Sequence, residues 1–98
     1  MLSVETLLNP KSIAIIGASN DTKKVGGIVT QNIIAKYKGQ VFLVNPREET
    51  IQGLISYKTV AEIPDVPDLA ILAIPAEKVL EMLPQIGDKG IKNLLIFS

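Results

Sequence analysis

Apolar residues in this chain occur either in short unbroken aliphatic stretches or in longer segments where they recur at helical spacing. Ser12–Ile16 (SIAII), Gln40–Val44 (QVFLV), Leu69–Ile74 (LAILAI) and Lys92–Phe97 (KNLLIF) are of the first kind. For Ser12–Ile16 the absence of polar alternation predicts a strand buried on both faces. These four are strands 1, 2, 4 and 5 of the predicted sheet, and Gly53–Lys58, which is less apolar, predicts an edge strand 3. Between strands 1 and 2, Ile28, Val29, Ile33, Ile34 and Tyr37 recur with the period of a helix over Gly26–Tyr37, with Gly39 as its stop. After strand 4, Ala76–Leu83 places Val79, Leu80 and Leu83 on one helical face; Pro84 kinks or restarts that helix, and Gly87 and Gly90 bracket its end. Thr59–Ile63 predicts a helical turn or two before Pro64 and Pro67. At the N-terminus Ser3 caps a short helix through Leu8, which Asn9-Pro10 stops.

Strands alternating with helices, joined by connections too long for hairpins, imply parallel pairing through right-handed crossovers. The expected fold is α/β: a Rossmann-like open parallel sheet, strand order 3-2-1-4-5, with helices on both faces and one domain over residues 1–98. In that order the winding reverses between strands 1 and 4. Ligands of open parallel sheets bind beyond the carboxyl ends of the strands at such a reversal, here between the loops Gly17–Gly26 and Ile74–Ala76.

Composition removes many chemistries. Ten basic and ten acidic side chains leave no net charge, so no global field draws the chain to nucleic acid or anionic lipid. The absence of Cys and His excludes thiolate nucleophiles, disulfides, zinc clusters and the commonest general base. No catalytic residue and no metal ligand set is predicted. No apolar run approaches the ~20 residues that span a bilayer, and no signal region is present, so the expectation is a soluble cytoplasmic protein.

The first loop, Gly17-Ala18-Ser19-Asn20, leads into Lys24-Val25-Gly26-Gly27 at a helix N-terminus, where backbone N–H groups and the helix dipole favour an anion. Either this loop holds phosphate, with Ser19, Asn20 and Lys24 contributing polar groups, or its glycines serve ordinary turns. It lacks the dinucleotide pattern G-x-G-x-x-G, because Ser19 and Thr22 occupy the later glycine positions, and Thr22 likewise breaks the nucleoside-triphosphate loop pattern. At the end of strand 2, where NAD domains carry a carboxylate for ribose, stands Asn45-Pro46-Arg47. Arg47 either grips a ribose phosphate, as in NADP or coenzyme A, or is a solvated arginine after a turn. Pro75 is equally open between a ligand contact and a strand stop. On helix propensity, Gly26→Ala is expected to preserve folding while weakening phosphate binding.

Taken together, Gly17-Ala18-Ser19-Asn20, Lys24-Val25-Gly26-Gly27, Val44-Asn45-Pro46 and Ala73-Ile74-Pro75-Ala76 resemble the CoA-binding domain of NDP-forming acyl-CoA synthetases. The opening Leu7-Leu8-Asn9-Pro10-Lys11-Ser12-Ile13 resembles the start of the ADP-forming acetyl-CoA synthetase group. This resemblance implies coenzyme A or acyl-CoA as ligand. Gly17, Ala18, Ser19, Asn20, Lys24, Val25 and Gly26 would surround its phosphates, Asn45, Pro46 and Arg47 would face its adenosine end, and Ile74, Pro75 and Ala76 would border its pantetheine arm. It also implies partner synthetase domains or subunits that carry a phosphorylated histidine, which this chain lacks; the ending on strand 5 then reads as a fragment that binds without ligating. The alternatives are an NADP- or nucleotide-binding module, a stand-alone CoA-binding protein, and an interaction module that packs through strand 5.

Overall fold

The structure is a computed structural model, and it describes residues 9–97. The predicted helix over Ser3–Leu8 lies outside them.

Six strands form one sheet: β1 (Ser12–Ile16), β2 (Gln40–Val44), β3 (Thr50–Ile51), β4 (Leu54–Tyr57), β5 (Leu69–Leu72) and β6 (Leu94–Ile96). Their order is β3-β4-β2-β1-β5-β6. Every pairing is parallel except the antiparallel hairpin β3–β4. The predicted order holds for the five expected strands. The sixth, β3, lies outside the five strands the sequence predicts. Its two-residue turn is Gln52-Gly53, both at positive φ (49° and 87°), the combination that matches the twist of a tight hairpin. Gln is an unusual residue for that backbone region, which is why the turn left no obvious signature.

Alternation along β1 divides the core. Ala14 and Ile16 join Phe42, Val44, Ala70 and Leu72 on one face, and Ile13 and Ile15 join Leu43, Leu69 and Ile71 on the other. Helix α1 (Val25–Lys36) covers the second face through Val29 and Ile33, with Tyr37 just beyond its end. Helix α2 (Ala76–Lys89) covers the first through Val79, Met82 and Ile86, beside the 3-10 turn Val60–Glu62. The Lys89 ammonium donates to the Ile63 carbonyl and ties that turn to α2.

Several boundaries differ from the expectation. Helix α1 begins at Val25 and is ended by Tyr37 in extended conformation rather than by Gly39. The Tyr37 hydroxyl donates to the Pro10 carbonyl; burial, with the Asp68 carboxylate adding to it, raises its pKa above the usual phenol value. Strand β5 stops at Leu72, two residues early, because Ala73 and Ile74 already belong to the turn into α2. Helix α2 runs through Pro84 without restarting, Gly87 lies inside it, and Gly90 alone ends it, in the left-handed conformation (φ 92°). Among the described residues, no helix is long and apolar enough to cross a membrane, and no group of acidic side chains is arranged to hold a metal ion.

Candidate functional site

Where the winding reverses, β1 and β5 lie side by side, in register from Ile13↔Leu69 to Ile16↔Leu72. Their carboxyl ends release two loops, Gly17–Lys24 and Ala73–Pro75. Three backbone segments meet there. Gly17 (φ 93°) leaves no room for a side chain, because a Cβ would overlap the Ala73 carbonyl oxygen. Gly26 is held against Gly17 in the same way, and a Cβ there would fall within bonding range of the Gly17 carbonyl oxygen. The expectation that Gly26→Ala preserves folding is therefore overturned: Gly26 is needed for loop packing, whatever it offers a phosphate.

Around this junction runs a cleft of about 310 Å³, lined on one side by Gly17, Ser19, Lys24, Val25 and Gly26 and on the other by Ala73, Ile74, Pro75 and Phe97. A second cleft of about 460 Å³ opens from it, sharing Gly17, Ser19, Lys24, Ala73, Ile74 and Pro75 and adding Asn45, Pro46, Lys58 and Lys78 among others. Helix α1 starts at this waist with Lys24 as N-cap, no side chain capping it and no acidic residue in its first turn. Among the described residues, no side chain occupies its leading N–H groups; the Asp21 carboxylate just ahead of the helix accepts instead from the Lys23 N–H at 2.9 Å.

Of the remaining predicted site residues, Asn45 and Pro46 line the second cleft, while Ala18, Asn20, Arg47 and Ala76 line neither. Ala18 is fully buried in the core, and its carbonyl accepts from Asn45 Nδ2 at 2.8 Å. Asn45 Oδ1 accepts from the Arg47 backbone N–H at 2.8 Å, which turns the chain after β2. Asn20 reaches away from the clefts: its Nδ2 donates to the Thr50 carbonyl at 2.9 Å, and its Oδ1 accepts from the Gln52 N–H at 2.7 Å. The Arg47 side chain is exposed, and neither Arg47 nor Ala76 lines either cleft.

Sequence reasoning missed Gln52. Its side-chain amide donates to the Ser19 carbonyl at 3.0 Å and the Gly27 carbonyl at 3.2 Å, so the β3–β4 hairpin latches the first loop to α1. It also missed Phe97, Lys58 and Lys78, each distant in sequence from the others and joined only by topology. The one available signal was position, since all three stand at the carboxyl end of a strand or the first turn of a helix.

Residues 11–98 match the protein family described as CoA binding domain. The chain is 44% identical over 95 residues to the α subunit of ADP-forming acetate–CoA ligase II from Pyrococcus furiosus, covering 97% of this chain and 21% of the relative. A solved structure of the dinucleotide-forming acetyl-coenzyme A synthetase 1 of Ca. Korarchaeum cryptofilum, in complex with phosphate and ADP, superposes with a TM-score of 0.92 at 36% identity, covering 100% of this chain and 22% of that one. A conserved hypothetical protein from P. furiosus superposes with a TM-score of 0.81 at 30% identity, covering 89% of this chain and 74% of that one. The chain thus spans about a fifth of the length of the acetate–CoA ligase subunit it matches. With its fold, its switch-point cleft and these similarities, the chain belongs to the CoA-binding domain family and is homologous to part of the ADP-forming acetate–CoA ligases.

Proposed function

We propose that this chain binds coenzyme A or an acyl-CoA across the β1–β5 switch point, as the CoA-binding module of an ADP-forming acyl-CoA synthetase. The observation that carries the reading is the meeting, in one cleft, of an uncapped helix N-terminus and an apolar wall. Pyrophosphate needs N–H donors and a cation, which Gly26, Ser19 and Lys24 supply; the pantetheine arm needs a mostly apolar channel, which Val25, Ile74, Pro75 and Phe97 line.

In such a synthetase an acid, CoA and a nucleoside triphosphate become acyl-CoA, nucleoside diphosphate and phosphate. This chain contributes binding to that reaction, since it has no histidine to carry a phosphoryl group. The whole of residues 1–98 is one CoA-binding domain in this reading. It works in the cytoplasm beside further synthetase domains or subunits. The exposed apolar row Leu94, Leu95, Ile96 and Phe97 supports such packing. The match covering 74% of the P. furiosus hypothetical protein favours, as a second reading, a small protein that binds CoA on its own.

Calorimetric titration of the chain with CoA, dephospho-CoA, NADP and ATP tests the proposal. CoA is expected to bind most tightly, with dephospho-CoA weaker by about tenfold, or about 1.4 kcal/mol, for one lost phosphate contact. Tighter binding of NADP or ATP than of CoA would reject it.

A further inference from the structure

The two clefts share their waist and differ in their arms. One arm ends on Val25 and Phe97 and is apolar. The other, bounded by α2 and the end of β4, is lined by Lys58, Thr59, Lys78, Glu81 and Gln85. Lys58 directly follows β4, and Lys78 sits in the first turn of α2, so the two cations stand on opposite walls supplied by different elements.

We propose that Lys58 and Lys78 form the clamp for the phosphorylated ribose of the coenzyme, an assignment that rests on the CoA reading above. Coenzyme A is itself two-armed: a neutral pantetheine leads one way from the pyrophosphate, and an adenosine with a ribose phosphate leads the other. With the pyrophosphate at the waist, beside Lys24 and the α1 N-terminus, the apolar arm suits the pantetheine and leaves the polar arm for the nucleoside. A ribose phosphate carries a charge of about −1.5 to −2 near neutral pH and draws cations to it. The polar arm offers Lys58 and Lys78 against one lining carboxylate, Glu81. The nearby Glu62 carboxylate accepts from the Lys58 backbone N–H at 3.0 Å, which fixes the backbone from which that lysine projects. The Lys78 backbone is fixed likewise, its N–H donating to the Pro75 carbonyl at 2.9 Å, and the positive end of the α2 dipole adds to its charge. Arg47, the cation that the sequence pattern offered for this phosphate, stands outside the lining.

The test compares CoA with dephospho-CoA, by calorimetry, in the unaltered chain and in Lys58→Gln, Lys78→Gln and the double variant. Lys38→Gln, at the opposite end of the sheet, controls for the change in net charge. Each single variant is expected to lose about five- to tenfold in CoA affinity and the double variant more, while dephospho-CoA affinity stays within about twofold. The preference for CoA should collapse in the double variant and survive in Lys38→Gln. Both lysines are exposed, so melting temperatures should not move. If the double variant keeps the preference, whether both affinities are unchanged or both fall together, the clamp assignment is overturned while the CoA reading stands. Failure of the unaltered chain to bind CoA would instead remove the reading on which the clamp rests.

Discussion

Gly26 sits where two demands on one residue conflict. As the second residue of α1 it would gain up to ~1 kcal/mol of helix propensity on replacement by alanine. Against this, the new methyl group would overlap the carbonyl oxygen of Gly17, whose own position is set by its contact with Ala73. Overpacking against fixed backbone costs about 1–3 kcal/mol, so packing outweighs propensity. Gly26→Ala is therefore expected to lower the melting temperature by several degrees, about 4–8 °C per kcal/mol in a domain of this size, as followed by circular dichroism. An unchanged or raised melting point would show that the Gly17 loop yields freely. The glycines and polar residues of this loop were legible in the sequence as an anion-binding candidate, but their division of labour was not. Asn20 and Asn45 look like ligand contacts from their spacing, yet their amides hold the β3 hairpin and the turn after β2. Except for the local Asn45–Arg47 bond, these contacts link residues 27 to 32 positions apart and leave no local pattern.

At the scale of elements, α2 shows how tertiary packing overrides a local rule. Proline lacks the N–H that would bond four residues back, and its ring crowds that carbonyl, yet Pro84 lies inside a continuous helix of 14 residues. Val79, Met82 and Ile86 bury one face of this helix against the sheet, while the Lys89 ammonium and the Gly90 cap fix its end. Those contacts hold the turn that Pro84 weakens. Because Pro84 is exposed, alanine there should restore a backbone bond without disturbing the core. Pro84→Ala is expected to stabilise the chain by about 1–3 kcal/mol, the propensity difference less the entropy advantage of proline in the unfolded state. Chemical denaturation measures this, and a lower midpoint would mean that the proline shapes the helix the core requires. The sheet was legible where burial on both faces wrote unbroken aliphatic runs, as in β1, β2 and β5. Strand β3 was not, since its two residues, Thr50 and Ile51, are too short to show a period, and Ile51 alone of them is buried.

Across the whole molecule, the handedness of the connections explains both the site and the face beside it. Right-handed crossovers that advance in opposite directions along a sheet place their helices on opposite faces. From β1 to β2 the chain moves one way, with α1 on one face; from β4 through β5 to β6 it moves the other way, with the 3-10 turn and α2 on the opposite face. The divergence opens the cleft between β1 and β5, and among the described residues it leaves α1 as the one helix on its face. Between α1 and β6 that face is an apolar groove of about 470 Å³, walled by Ile28, Ile33, Leu95 and Phe97, and Phe97 also borders the switch-point cleft. A domain this small, with an edge strand of exposed apolar residues, has little stability in reserve. Ligand binding then weighs heavily, because a ligand present at a hundredfold excess over its dissociation constant adds about 2.7 kcal/mol to the folded state. For a chain of 98 residues that corresponds to a rise in melting temperature on the order of 10–20 °C. CoA at that excess should produce such a rise, dephospho-CoA at the same concentration about half of it if it binds about tenfold more weakly, since the stabilisation grows with the logarithm of affinity, and free pantetheine almost none if the proposed anchoring of the phosphates at Lys24 and the α1 N-terminus holds. A shift from pantetheine as large as that from CoA would move the main anchor from the helix terminus to the apolar wall of Ile74, Pro75 and Phe97.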